Sequence, residues 1–211
     1  MATQHVGTRT KIGLDSAGLL MTPAEFDAIT RSDGRYRYEL IHGVLVVSRL
    51  PLPAESDPNE ELGHLLRKYQ EDHPQGSVLD ATLAERYVYL KESRRRADRL
   101  VWVGLERTPD LERDVPAIVV EFVSRGKRDQ VRDYQGKRSE YLGLGVSEYW
   151  IIDRFRRIMT VHRNTPDGPV EQVLAEADTY RTPLLPGFEL PLPRLLTLAD
   201  RWKRPRGGKP K

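Results

Sequence analysis

Cysteine is absent from all 211 residues. That excludes disulfide staples and cysteine-ligated zinc, and it fits a reducing, cytosolic compartment. No apolar run approaches the roughly 20 residues a membrane-spanning helix needs. The first residues, MATQHVGTRTKIG, lack the apolar core of a secretory signal. A cytoplasmic protein with no membrane partner is therefore expected. There is no large excess of one charge either: 34 Lys and Arg stand against 31 Asp and Glu, a formal net charge of +3. Global charge thus does not argue for a nucleic-acid partner. Internal repeats, zinc fingers and other base-reading modules are missing. The five histidines show no histidine–acid–nucleophile signature, and Ser124 lacks a glycine-flanked elbow, which counts against a serine hydrolase.

What remains is a chain of ordinary domain size whose 38% hydrophobic residues suffice for a core. Its basic residues are clustered, in KESRRRADR (91–99), in SRGKRDQVRDYQGKR (124–138) and in RWKRPRGGKPK (201–211). Local clusters of this kind can neutralise phosphates and release counterions; they also serve simply to solvate a surface. The last cluster, rich in Pro and Gly, reads as a disordered tail over 201–211. Residues 1–20 lack periodicity and read as a flexible arm. One domain is expected over 21–200.

Thr22-Pro23-Ala24-Glu25 predicts a helix start with a threonine cap, proline in the first turn and glutamate closing a capping box, with Asp33-Gly34 as the stop. Residues 36–48, broken by His42-Gly43, predict a hairpin. Asp57-Pro58-Asn59-Glu60 predicts a second helix to about Glu71, with Leu62, Leu65, Leu66 and Tyr69 on one face. Strands are expected over 83–90, 97–103 and 117–123, the last apolar from Ala117 to Val120 as in a strand covered on both faces. A helix over 128–142 follows, ended by Gly143 and Gly145. A strand pair over 148–153 and 158–162 comes next, joined by a turn at 154–157, and then short proline-rich strands and a terminal helix over 195–202. The order predicts an α/β (α+β) protein with a central mixed sheet flanked by helices.

Charged groups inside segments that should be buried carry the functional signal. Glu121 follows the run Ala117–Val120, Asp98 opens a mostly apolar strand, and Glu39 lies beside Leu40 and Ile41. Desolvating such carboxylates is costly unless a cation or several donors meet them. If their strands adjoin, they form an oxygen-rich site suited to Mg²⁺. Lys137 shares a helix face with Tyr134 and Tyr141, so it can aim its ammonium at strand ends. Plainer readings stay open. Lys137 can pair with Asp133 on the surface, Glu121 can meet a nearby arginine, Asp98 can pair with Arg96 or Arg99, and Glu39 can be an exposed position of an edge hairpin.

The segments Tyr38-Glu39-Leu40-Ile41-His42-Gly43, Val119-Val120-Glu121-Phe122-Val123-Ser124, Lys137-Arg138-Ser139-Glu140-Tyr141 and Gly145-Val146-Ser147-Glu148-Tyr149-Trp150-Ile151-Ile152-Asp153 resemble the Uma-two family of restriction endonucleases, within the PD-(D/E)xK nuclease superfamily. The resemblance implies a restriction-endonuclease-like core and a Mg²⁺- (or Mn²⁺-) dependent endonuclease acting on nucleic acid, DNA foremost. It makes Asp98 the motif aspartate, Glu121 the motif acid, Glu39 a helper acid, and all three metal ligands. Lys137 becomes the motif lysine, displaced onto the helix, since Val123 stands at its usual strand position. Ala97 replaces the motif proline, and Asn59 stands where the family often has histidine. By analogy a homodimer is expected. A nuclease-fold protein that only binds nucleic acid or a partner is the competing class.

Overall fold

The computed structural model describes residues 11–126, 134 and 136–202. The chain divides into two compact units, 1–50 with 87–96, and 51–86 with 97–211. Two strands, β3 (Leu79–Tyr89) and β4 (Arg94–Val103), have residues in both.

In the smaller unit, α1 spans Pro23–Asp27. The capping box forms as its sequence predicts: the Glu25 N–H donates to Thr22 Oγ1 at 3.2 Å and the Thr22 N–H to Glu25 Oε2 at 2.7 Å. The helix ends six residues before the expected Asp33-Gly34 stop. Asp33 instead turns the chain, accepting from the backbone and guanidinium of Arg35. The hairpin β1 (Tyr36–Ile41) and β2 (Val44–Arg49) closes through His42 and Gly43, both at positive φ (47° and 77°), which is the two-residue turn matched to strand twist. Leu40 of β1 pairs with Arg94 of β4. Ile12, Phe26, Tyr38, Leu40 and Leu45 make this unit's core, so part of the segment read as an arm is packed. Residues 1–10 of that arm lie outside the described residues, as does the tail from 203 onward.

The larger unit holds a mixed sheet in the order β4-β5-β6-β7-β8, with β3 on β4. Here β5 is Ile118–Phe122, β6 Glu148–Asp153, β7 Ile158–Arg163 and β8 Val170–Ala175. β5 and β6 run parallel, whereas β4–β5, β6–β7 and β7–β8 are antiparallel. All five residues of β5 are buried, as its unbroken apolar run predicts. One sheet face carries Val120, Phe122, Trp150, Ile152 and Val161 into a core with Leu62, Leu66 and Tyr69 of α2 (Pro53–Asp72) and Leu192, Leu195 and Leu196 of α4 (Leu192–Asp200). A small ladder of β9 (Thr179–Tyr180) and β10 (Leu190–Pro191) leads into α4.

The parallel pair needs a crossover, and its described helical part is α3, Lys137–Leu144. The earlier part of the helix expected over 128–142 lies outside the described residues, apart from 134 and 136. Gly145 ends α3 at φ 102°, the left-handed cap that glycine adopts without steric cost. The start of α2 departs from expectation. Two cap–proline–acid signals compete, and the helix uses the first: Pro53 begins it, and the Leu52 N–H donates to Glu55 Oε2 at 2.9 Å. Pro58 then sits inside the helix and forfeits one backbone bond. Helix α4 likewise begins at Leu192 rather than 195.

Candidate active site

Position sets the chemistry of Glu121. It lies near the carboxyl end of β5, which is paired on both sides, and it is 3% exposed. Side chains alternate across a strand. With Val120 and Phe122 in the core shared with α2, Glu121 faces the other side, where α3 packs. There the Lys137 ammonium meets Glu121 Oε1 at 2.7 Å, with both side chains at least 96% buried. Tyr141, one turn further along α3, directs its hydroxyl to the same oxygen at 3.4 Å. The shared face of Lys137 and Tyr141 expected from their spacing is therefore turned to the sheet. Tyr134, the third member, donates instead to Asp153 Oδ2 at 3.0 Å, and burial beside that carboxylate pushes its hydroxyl up to about 12.

Asp98 joins this end of β5 through register. Arg99 pairs with Val120, so Asp98 is next in line opposite Glu121, on the same face. Its Oδ2 accepts the Phe122 N–H at 2.7 Å, which fixes the carboxylate where the ladder ends. Glu39 belongs to the smaller unit. It is buried, not an exposed edge position, and its Oε1 accepts the Arg96 N–H at 3.0 Å. Arg96 stands two residues before Asp98 on β4. Of the four expected site residues, Asp98, Glu121 and Lys137 come together in the larger unit. The metal-binding role of Glu39 rests on the resemblance.

Among the described residues no group of three or more His, Cys, Asp or Glu side chains could by itself hold a metal ion. Magnesium does not require one, since it is commonly held by one or two carboxylates with water and substrate completing its shell. The oxygen-only pair Asp98 and Glu121 fits that habit.

The contacts that Arg99 and Asn59 make were not foreseen. Arg99, on the opposite face from Asp98, is buried, and its guanidinium binds Asn59 Oδ1 and the Asn59 carbonyl at 2.8 Å each and Thr82 Oγ1 at 3.0 Å. Burial lowers it to about 10, so it stays charged at neutral pH. Asn59 also donates to the Asp98 carbonyl at 2.8 Å. The residue in the family's histidine position thus ties α2 to the backbone of a candidate ligand. Only the charge buried in β4 could have signalled Arg99; its partners Asn59 and Thr82 lie 40 and 17 positions upstream. Gly63 leaves space for the guanidinium, because a Cβ there would lie 2.5 Å from Arg99 Nη2. Gly63→Ala is therefore expected to cost about 1–3 kcal/mol, as overpacking does, read as a lower urea midpoint at unchanged slope.

By register His162 of β7 lies on the same sheet face as Glu121, opposite Tyr149. His162 stacks on Tyr149 at 6.2 Å and lies 3.4 Å from Glu171. Burial, with Arg138 adding to it, holds its imidazole below the ordinary histidine value, so it is neutral at pH 7.

A mixed sheet flanked by helices, with carboxylates and a lysine gathered where the parallel pair begins its crossover, is a nuclease-type architecture. A solved structure of the same fold is titled "Crystal structure of a putative nuclease belonging to DUF820" from Anabaena variabilis ATCC 29413. It is similar with a TM-score of 0.64 at 14% identity, over 85% of this chain and 99% of that one. The chain belongs to the Uma-two family, described as "Putative restriction endonuclease", whose model matches residues 23–193. No curated protein matches.

Proposed function

We propose that this protein is a divalent-metal-dependent nuclease that hydrolyses phosphodiester bonds of DNA at Asp98, Glu121 and Lys137. The observation that carries the reading is the buried Lys137–Glu121 contact at 2.7 Å, one register step from Asp98. A buried ion pair is no more stabilising than a well-packed apolar pair and is often less so. Its place at the end of a covered strand therefore calls for a role beyond folding. Family membership and the nuclease-type fold support the same reading.

In this mechanism Asp98 and Glu121 hold the cation. When bound, it supplies Lewis-acid polarisation of a phosphoryl oxygen and a lowered pKa for water. The chain's own residues do the positioning. The Phe122 N–H fixes the Asp98 carboxylate, while Lys137 and Tyr141 fix Oε1 of Glu121. The ammonium also places positive charge where a phosphate gains negative charge in the transition state, and preorganised donors there are worth about 10²–10³ in rate.

The test is cleavage of supercoiled plasmid and of single-stranded circular DNA in Mg²⁺, Mn²⁺ or EDTA, for the wild type and Glu121→Gln. Cutting is expected in metal only, falling at least about 100-fold in the variant. A second reading, a binding protein without catalysis, draws on the absence of a three-ligand group among the described residues. No cutting of any substrate, together with no metal uptake by calorimetry, would leave that reading standing and remove the first. A homodimer with one site per strand completes the proposal, and sedimentation as a monomer at assay concentration would remove that part.

A further inference from the structure

Asp153 closes β6 with a buried carboxylate to which the site at Asp98, Glu121 and Lys137 gives no role. By register it lies on the Glu121 face. Glu121 stands beside Ile151, and side chains two apart on a strand share a side. Its two oxygens serve different elements. Oδ1 accepts the Phe155 and Arg156 N–H groups at 2.8 and 3.0 Å, which holds the turn into β7. Oδ2 accepts the Tyr134 hydroxyl at 3.0 Å, from the crossover between β5 and β6. The turn is tied down again at its far end, where Arg157 meets Glu176 and Asp200. Asp153 is therefore a fixed point, and on the crossover side it fixes Tyr134.

Lys137 stands three residues past Tyr134, and the backbone next to it does little to hold it. Gly136, directly before it, makes no side-chain cap hydrogen bond, and glycine has the most backbone freedom to lose. Anchors on either side take that role. Downstream, Tyr141 sets its ring edge-on to Tyr149 at 5.2 Å and its hydroxyl at Glu121 Oε1. Upstream, the Tyr134 hydroxyl reaches Asp153. Tyr149 and Asp153 lie near opposite ends of β6, so the crossover is pinned along that strand with Lys137 between the pins. The upstream pin is built to persist. Burial, with the Asp153 carboxylate adding to it, keeps the Tyr134 hydroxyl protonated well past neutral pH. The Arg156 guanidinium lies 5.7 Å from the centre of its ring.

We infer that Tyr134 is a positioning residue, whose hydrogen bond to Asp153 fixes the crossover so that Lys137 keeps its ammonium at Glu121. Tyr134 acts through the lysine and not on the substrate. This role rests on the nuclease reading for the reaction it serves, but the placement of the ammonium is measurable apart from any reaction. A bond that served only to satisfy the buried Asp153 carboxylate would, when removed, leave the ammonium where it is. Catalytic groups must be held within a fraction of an ångström by such supporting contacts, so the loss of one pin should register at Lys137.

The test is Tyr134→Phe, which removes the hydroxyl and keeps the ring. In protein labelled with ¹⁵N-lysine, the Lys137 ammonium should give a slowly exchanging signal, identified by its loss in Lys137→Met. Its exchange with solvent is expected to quicken about 10-fold in Tyr134→Phe, the scale of a lost hydrogen bond to a charged group. In plasmid cutting with Mg²⁺, Tyr134→Phe is expected to lower kcat about 10-fold with KM for DNA unchanged. In a Lys137→Met background it should lower kcat no further, because residues acting as a unit are non-additive. Equal losses in both backgrounds would make Tyr134 a structural residue only. Unchanged ammonium exchange would overturn the inference even if Glu121-dependent cutting stands. Conversely, faster exchange in a protein that cuts nothing would sustain the placement of Lys137 by Tyr134 while removing the nuclease reading.

Discussion

Lys137→Ala is expected to lower folding stability by about 3–5 kcal/mol, the usual consequence of stripping one partner from a buried ion pair. For a chain of this size the melting temperature should fall by on the order of 10 °C. The size follows from burial. Glu121 Oε1 has the ammonium at 2.7 Å, with side-chain exposures of 3% and 4%, so water cannot replace the lost donor. Lys137→Met isolates the charge, because it keeps most of the volume and should lose nearly as much. Glu121→Ala removes the carboxylate that needs the ammonium, so the double variant should be more stable than the sum of the two single losses. That non-additivity marks direct coupling. Urea unfolding at pH 7 of all four proteins completes the cycle. Losses below about 1 kcal/mol in both single variants would mean that the pair behaves as a solvated surface pair. Lys137 would then lack the fixed position its catalytic role requires. Rates for Lys137 variants must accordingly be measured well below their melting temperatures, so that lost charge and lost fold are separable.

Local signals carried much of this architecture. The α1 capping box, the His42-Gly43 turn and the covered strand β5 each depend on a few neighbouring residues, and each formed as read. The same holds for Lys137 and Tyr141, whose spacing alone puts them on one helix face. Where local signals compete, the sequence is ambiguous. Both Pro53 and Pro58 open a plausible helix, and the earlier start prevailed because Glu55 caps Leu52, with Pro58 accommodated inside. Partners distant in sequence were not readable at all. Nothing near Arg99 announces that Asn59 and Thr82 receive its guanidinium or that Gly63 clears its path. Nor does a carboxylate in a buried strand reveal whether it serves folding or chemistry. Glu121 and Glu148 lie within two successive, wholly buried strands, yet face opposite sides of the sheet.

Glu148 accordingly provides the second large effect, and it is one of stability alone. It is fully buried and accepts from Trp150 Nε1 at 2.8 Å, Tyr180 Oη at 2.9 Å, Thr182 Oγ1 at 3.0 Å and Arg163 Nε at 2.8 Å. Four donors around one carboxylate are a satisfied network, with no ligand needed to explain the charge. Burial, aided by the Glu148 carboxylate, raises the Tyr180 hydroxyl well above the ordinary tyrosine value, so it remains a donor. Glu148→Ala leaves buried donors from β6, β7 and β9 without their shared acceptor and is expected to cost about 3–5 kcal/mol. Glu148→Gln should also be destabilising but less so, because it keeps one carbonyl oxygen while turning an amide N–H₂ toward groups that donate. The discriminating measurement pairs stability with metal affinity. Glu148→Gln, held folded at low temperature, should bind Mn²⁺ as the wild type does, whereas Glu121→Gln should not. If Glu148→Gln abolished metal binding while staying folded, the division of labour between the two faces would be wrong, and the acid holding the cation would have to be sought among the core carboxylates instead.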